Sequence, residues 1–149
     1  MAPLVRYLWA LPNTLIGMLF VPFVVVTKGR MEIVDGVLEI RGRIIGTILR
    51  HCVPICGGAL AMTFGHVVLG RDRAALAATR AHERVHVGQC EVWGPAFIPA
   101  YLLAALWGLV TGAGAYEGNY FERQAFRREE RRDLATSQRR WFSPQRQQR

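Results

Sequence analysis

His82-Glu83-Arg84-Val85-His86 is an HExxH pentapeptide within a segment that otherwise reads as uninterrupted helix. Four residues apart on a helix, two imidazoles project from one face, one turn apart, at a separation suited to gripping one Zn²⁺. Glu83 stands beside them, where a carboxylate can polarise a metal-bound water. Gln89 continues the same face, within about 60° of both histidines around the axis, and could hydrogen-bond a ligand or substrate. Catalytic zinc takes three protein ligands and keeps one position open, so a third side chain must come from elsewhere. Glu91, Glu117, Glu122 and the later acidic residues are the candidates. Glu91 lies five residues past His86 and points away from the pair. Glu122 opens a later helix that packing could bring opposite; its competing role is the N3 position of a capping-box-like start after Asn119. For the motif as a whole, the competing reading is a solvent-exposed polar stripe.

Several elements must hold these residues. Asp72 is a good N-cap for a helix of about twenty residues closed by Gly94 and Pro95, with both histidines near its middle. Asn119 can cap a second helix running from Tyr120 to about Thr136. Upstream, Met31-Glu32-Ile33-Val34 and Val37-Leu38-Glu39-Ile40 flank Asp35-Gly36, a two-residue hairpin turn signal. That turn pairs Ile33 with Leu38 and Met31 with Ile40, and sets Glu32 against Glu39, a like-charge pair that needs a nearby arginine. Residues 43 to 57 read as a short helix and a loop, and Ala59 to Leu69 as one further strand. The expected architecture is α+β, with the HExxH helix and the Glu122 helix beside a small antiparallel sheet.

The 149 residues suffice for one domain, and 51% are hydrophobic. Residues 7 to 26 carry no charge and as helix would reach roughly 30 Å, the thickness of a bilayer core. Arg6 before this run also fits a signal peptide, but Val24-Val25-Val26-Thr27-Lys28 lacks the small-x-small cleavage pattern. Residues 1–28 are therefore expected to be a retained membrane anchor, followed by a domain over 29–136. A second uncharged run, 95–115, is interrupted by Pro95, Pro99 and glycines and fits a re-entrant, an interfacial or a core segment. Arginines follow both runs, which puts both flanks on the cytoplasmic side if basic segments stay there. The net charge of +8 suits anionic lipid better than nucleic acid, since no aromatic-basic RNA motif or zinc-knuckle spacing accompanies it. Residues 137–149 read as a basic, disordered tail. Cys52, Cys56 and Cys90 read as small apolar residues rather than as a disulfide or a metal clip.

HExxH followed by Glu122-Arg123-Gln124-Ala125 resembles the gluzincin metallopeptidases, including membrane-embedded zinc proteases related to the CAAX-processing enzymes. In those membrane proteases the second motif usually continues with an aspartate where this chain has Phe126. The form His82-Glu83-x-x-His86-x-x-Gln89 is also similar to a small zincin-like domain of contractile injection systems. The run from Gly65 to Glu122 further resembles small uncharacterised bacterial membrane proteins with an HExxH core. The resemblance implies Zn²⁺ held by His82, His86 and Glu122, Glu83 as general base, and Gln89 or Asn119 as supporting groups. It implies Tyr116 as a transition-state donor, with a core or anchoring tyrosine as the alternative, and substrate addition along the strand Ala59–Leu69. His66 on that strand is expected either to face the site or to be an ordinary strand residue.

The leading expectation is a zinc metallopeptidase at the inner membrane of a bacterium, its working part facing the cytoplasm and cutting a peptide or a membrane-protein segment. The alternatives are an inactive zincin-like membrane scaffold and a basic lipid-surface protein whose HExxH is accidental. Oligomeric state is not legible.

Overall fold

In the computed structural model, which describes residues 3–53 and 57–142, the chain folds as α+β around a four-stranded mixed sheet. Helix α1 (Pro3–Met18) and the short α2 (Val21–Val26) lead into strands β1 (Arg30–Val34) and β2 (Val37–Arg41). Helix α3 (Arg43–His51), strands β3 (Ala61–Phe64) and β4 (Val67–Gly70) and the long helix α4 (Arg73–Trp93) follow. A 3-10 turn at Gly94–Ala96 joins α4 to α5 (Phe97–Val110), and α6 (Tyr120–Phe142) closes the described chain.

The first hairpin has the expected register, Met31 on Ile40, Glu32 on Glu39 and Ile33 on Leu38. Its turn residues Asp35 and Gly36 both have positive φ, 48° and 76°, as a type I′ turn requires. The like-charge pair is resolved by arginines. Arg80 grips the buried Glu39 carboxylate with two bonds of 2.8 and 2.9 Å, Arg84 approaches it at 3.5 Å, and Arg41 meets Glu32. Arg80 and Arg84 both lie on α4, so this ion cluster docks the hairpin on the HExxH helix. Of the four apolar side chains on one hairpin face, Ile40 is buried and Leu38 partly so, while Met31 and Ile33 on the outer strand are exposed.

Two sequence expectations about the sheet are corrected. The segment Ala59–Leu69 is not one strand but a hairpin, because Gly65 (φ 61°) turns the chain between Phe64 and Val67. A Cβ there would lie 2.2 to 2.9 Å from atoms of Thr14, so the turn needs glycine on both grounds. The sheet is mixed rather than antiparallel. Its order is β1-β2-β4-β3, with β2 and β4 parallel, so among the described residues β3 has no strand on its far side. One face of the sheet packs on α4, where Val37 and Val68 meet Leu76 and Val87. The other packs on α2 and α3, where Ile40, Val67 and Leu69 meet Val24, Ile45 and Leu49.

The helices distribute their side chains inside out. Helix α1 buries a narrow face of Ala10, Asn13 and Gly17 and exposes Leu4, Leu8, Leu15 and Trp9. Asn13 Nδ2 donates to Gly94 O at 2.6 Å, and Trp9 Nε1 to Val92 O, so α1 is bonded to the end of α4. The run expected as a single anchor breaks after Met18, and Pro22 sits in the first turn of α2. In α5 only Phe97 and Gly108 are buried, and most of its large apolar side chains face outwards. Together α4, the 3-10 turn and α5 form a 38-residue helical run, Arg73–Val110, that is long and apolar enough by composition to cross a membrane. Helix α6 runs past the expected end near Thr136, and residues 137–142 of the expected disordered tail are helical; 143–149, like Cys56, lie outside the described residues.

The seating of α1 is testable. A Cβ at Gly17 would sit 2.6 Å from Val67 Cβ and 3.0 Å from Phe64 Cβ. Gly17→Leu is expected to cost roughly 1–3 kcal/mol of stability in detergent denaturation, and Leu15→Ala on the exposed face less than about 0.5 kcal/mol. Equal effects would mean that α1 is not seated on the sheet.

Candidate metal centre

The HExxH residues are presented by a helix whose ends are both defined. Asp72 accepts from Ala75 N at 2.8 Å, and Gly94, with φ 55°, stops α4 where a side chain would run into the Trp9 ring. Helix α6 is aimed by its own start. Asn119 Oδ1 accepts from Phe121 N at 2.9 Å and its Nδ2 donates to Tyr101 O, tying α6 to α5. Phe121 packs with Ala10, Cys90 and Phe97 in a small core between the helices. Burial pushes the Cys90 thiol up to about 12, as befits a small apolar filler.

These constraints bring His82, His86 and Glu122 together, all buried, as the group able to hold a metal among the described residues. His82 Nε2 lies 3.1 Å from Glu122 Oε2 and 3.1 Å from His86 Nε2, and His86 Nε2 lies 3.3 Å from Glu122 Oε1. A tetrahedral ion with bonds of about 2.0–2.1 Å needs donors roughly 3.3 Å apart, so the spacing fits such an ion.

The protonation pattern fits as well. Gln89 Nε2 donates to the backbone carbonyl of Phe121 at 3.1 Å and to Gln124 Oε1 at 2.8 Å. A carbonyl can only accept, so Gln89 turns its Oε1 towards His86 Nδ1, 2.8 Å away, which therefore carries hydrogen. Glu129 Oε2 stands 3.4 Å from His82 Nδ1 in the same role. With hydrogen on both Nδ1 atoms, neutral rings point their two Nε2 lone pairs at the common centre.

Electrostatics favours a cation there. Burial opposes charge on His82 and His86, but the hydrogen bonds and charge of Glu122 outweigh it and hold both above the ordinary imidazole value. Burial would raise Glu122, yet its bonds to both histidines drive it far below the usual carboxylate range. Glu83 is raised by burial, against the pull of His86 and a 2.7 Å bond from Thr63 Oγ1 to its Oε2. A cavity of about 520 Å³ opens beside the triad between β3, α4, α5 and α6, and Glu83 lines it.

The other expected site residues fall on either side of this geometry. Gln89 supports His86 directly, and Tyr116 lines the cavity with its hydroxyl on Glu122. Asn119 is a helix cap whose amide is committed to Tyr101 O, and it does not line the cavity. His66 does not face the site. Its ring stacks on Tyr7 at 4.0 Å and bonds Glu91 at 3.2 Å, because the Gly65 turn directs it towards α1. Glu91, as expected, points away from the histidines.

Sequence reasoning missed Thr63 and Tyr101, and counted Glu129 only among the later acidic residues that could supply the third ligand. Tyr101 is the lone tyrosine of the apolar run 95–115, and its hydroxyl donates to Glu122 Oε1 at 2.5 Å. Glu129 lies two turns after Glu122, on the same helix face, a spacing that could have flagged it. No local signal marks Thr63. No family model, curated protein or solved structure matches the chain.

The raised histidines set the pH dependence. Their ion cluster stabilises the metal-free fold below about pH 6.5, the ordinary imidazole value, and that contribution is lost as pH rises through the raised value. Glu122, lowered, contributes above about 4.5 and loses its effect only as pH falls through its depressed value. A bound metal must displace the histidine protons, so Zn²⁺ affinity is expected to rise at least about tenfold from pH 6 to 8 in chelator competition. Gln89→Ala should weaken binding about 10–100-fold, while His66→Ala should leave it unchanged.

Proposed function

We propose that the chain is a membrane-associated, zinc-dependent metallopeptidase of zincin-like type. The observation that carries this reading is Glu83. Its carboxylate is buried beside the three-donor group and lines the same cavity, and a purely structural metal site has no use for it. When bound by His82, His86 and Glu122, Zn²⁺ supplies Lewis acidity towards a peptide carbonyl and lowers the pKa of a coordinated water to about 7.

The chain's own residues divide the remaining work. Thr63 fixes one oxygen of Glu83, leaving the other to take the proton of the attacking water and pass it to the leaving amine. Burial raises the affinity of Glu83 for that proton, which suits a base operating near neutral pH. Tyr101 and Tyr116 bring hydroxyls to the rim of the triad, where both bond Glu122 and either, once released from it, can donate to the developing oxyanion. Edge strand β3, bearing Thr63, runs along the cavity with one side free to pair with an extended substrate.

Membrane association is supported by the outward apolar faces of α1, α2 and α5, with Leu4, Leu8, Phe23, Leu103, Leu106 and Trp107 each more than half exposed. Exposed Arg123, Arg127, Arg128 and Arg131 on α6 add a basic surface suited to anionic headgroups. On this reading the work is done at the cytoplasmic face of a bacterial inner membrane, on a peptide or a membrane-protein segment.

The deciding experiment compares zinc content and proteolysis. Wild type is expected to bind zinc and cleave, and His82→Ala to lose the metal. Glu83→Gln should keep the zinc and lose about 10²–10⁴-fold in rate. Zinc in both wild type and Glu83→Gln with cleavage by neither would make the protein a scaffold; equal zinc in wild type and His82→Ala would remove the site.

A further inference from the structure

The cavity beside the triad is selective in its chemistry. Its walls are formed by apolar residues such as Leu60, Met62, Phe64, Ile98 and Leu102, and its histidines and acids are His82, Glu83, His86, Glu122 and Glu129, the triad and its neighbours. Those acids are engaged: Glu83 by Thr63, Glu122 by His82 and His86, and Glu129 by His82. Away from the triad the walls are apolar, so a charged substrate side chain lying against them would lose its water without a partner, whereas an apolar one would be buried. Phe126 completes the rim. Its ring lies 4.7 Å from that of His82 and 5.8 Å from that of Tyr116, directly beside the metal donors.

The mouth of the cavity points to a route of entry. Leu102 lines the cavity and is 61% exposed, and along α5 it continues into Leu103, Leu106 and Trp107, which are also exposed. The apolar lining and the apolar outer surface are thus continuous. At the opposite wall, β3 pairs with β4 on one side only, so its other side offers backbone donors and acceptors to an incoming chain. A fatty acyl chain would fill the apolar space but leave those groups without partners, which favours a polypeptide.

Resting on the peptidase reading above, we infer that the cavity is a specificity pocket for large aliphatic or aromatic side chains. The substrate is an extended apolar polypeptide segment that pairs with β3 and enters along α5 from the lipid-facing surface. At about 520 Å³ the cavity lies within the roughly 300–1,000 Å³ of sites that enclose most of a ligand. Burying one leucine or phenylalanine side chain there should be worth about 10–100-fold in affinity.

The test uses full-length, zinc-loaded protein in detergent micelles and labelled peptides that differ only in a central Leu-Phe, Asp-Asp or Lys-Lys pair, with a fatty-acyl ester of the same dye as a lipid probe. Binding is read by anisotropy on Glu83→Gln, independently of turnover, and cleavage on wild type. The Leu-Phe peptide is expected to bind at least about tenfold tighter than the charged peptides. Leu102→Asp in the same background should erase that advantage without changing bound zinc, and this comparison in the same micelles removes the contribution of micelle partition. Equal binding of all peptides, persistence of the preference in Leu102→Asp, or tighter binding of the acyl ester than of any peptide would overturn the pocket. Wild-type cleavage of charged and apolar peptides alike would overturn it while leaving the peptidase reading intact. A Leu-Phe preference in binding with no cleavage by wild type would uphold the pocket and remove the peptidase reading.

Discussion

Two imidazole nitrogens held 3.1 Å apart in a buried site, with a carboxylate across from them, form an arrangement that neutral rings do not sustain alone. The constraint begins at a backbone carbonyl. Phe121 O accepts from Gln89 Nε2, which turns Gln89 Oε1 to His86 Nδ1 and leaves the Nε2 lone pair facing His82. Two lone pairs aimed at one point repel, and a shared proton or a metal ion relieves the repulsion. The raised histidines and lowered Glu122 express the same demand for positive charge. The capped ends of α4, the Asn119 start of α6 and the Phe121 core all serve this convergence, because Gln89 must reach α6 for the pattern to be set.

The second organising constraint is that bulky apolar side chains face outwards. Helix α1 seats on the sheet and on α4 through Ala10, Asn13 and Gly17, residues small enough for close approach, while its leucines point away. In water that surface would favour association; beside lipid it needs no partner, and small residues at helix contacts are the usual solution there. Asn13 is itself buried, so water does not compete for its bond to Gly94 O. The outer apolar surface and the seating of α1 are therefore two sides of one sequence pattern.

Much of this was legible in the residues. Helix α4 lies between the expected cap and stop, the first hairpin has its expected register, and the need for an arginine near Glu32 and Glu39 is met by Arg41, Arg80 and Arg84. Those features are local, fixed by turn chemistry, caps and period. Glu122 was placed by helix start and motif together, and the structure brings it within 3.3 Å of both histidines. What was not legible is mostly non-local. The parallel pairing of β2 with β4 spans α3 and a second hairpin, and Thr63 meets Glu83 only because that hairpin lies against α4. The turn at Gly65-His66 was readable in principle, since glycine at the first loop position between two β runs signals a type II′ hairpin. Taking the segment as one strand also left the direction of His66 open, and the turn sends it to Tyr7 and Glu91.

Phe126 and Glu129 lie three residues apart on α6, and both touch His82. The membrane proteases that the motifs resemble usually have an aspartate at position 126. Glu129, three residues on and about one turn further along α6, approaches His82 Nδ1 instead. Positions three and four apart share a helix face, so both side chains reach the same imidazole. Position 126 is apolar, and the Phe126 ring packs against His82 and faces the cavity. Support of the imidazole and shape of the rim, which one aspartate would have coupled, are thereby divided between two residues. The division gives the donor group a charged outer partner on one side and an apolar wall on the other.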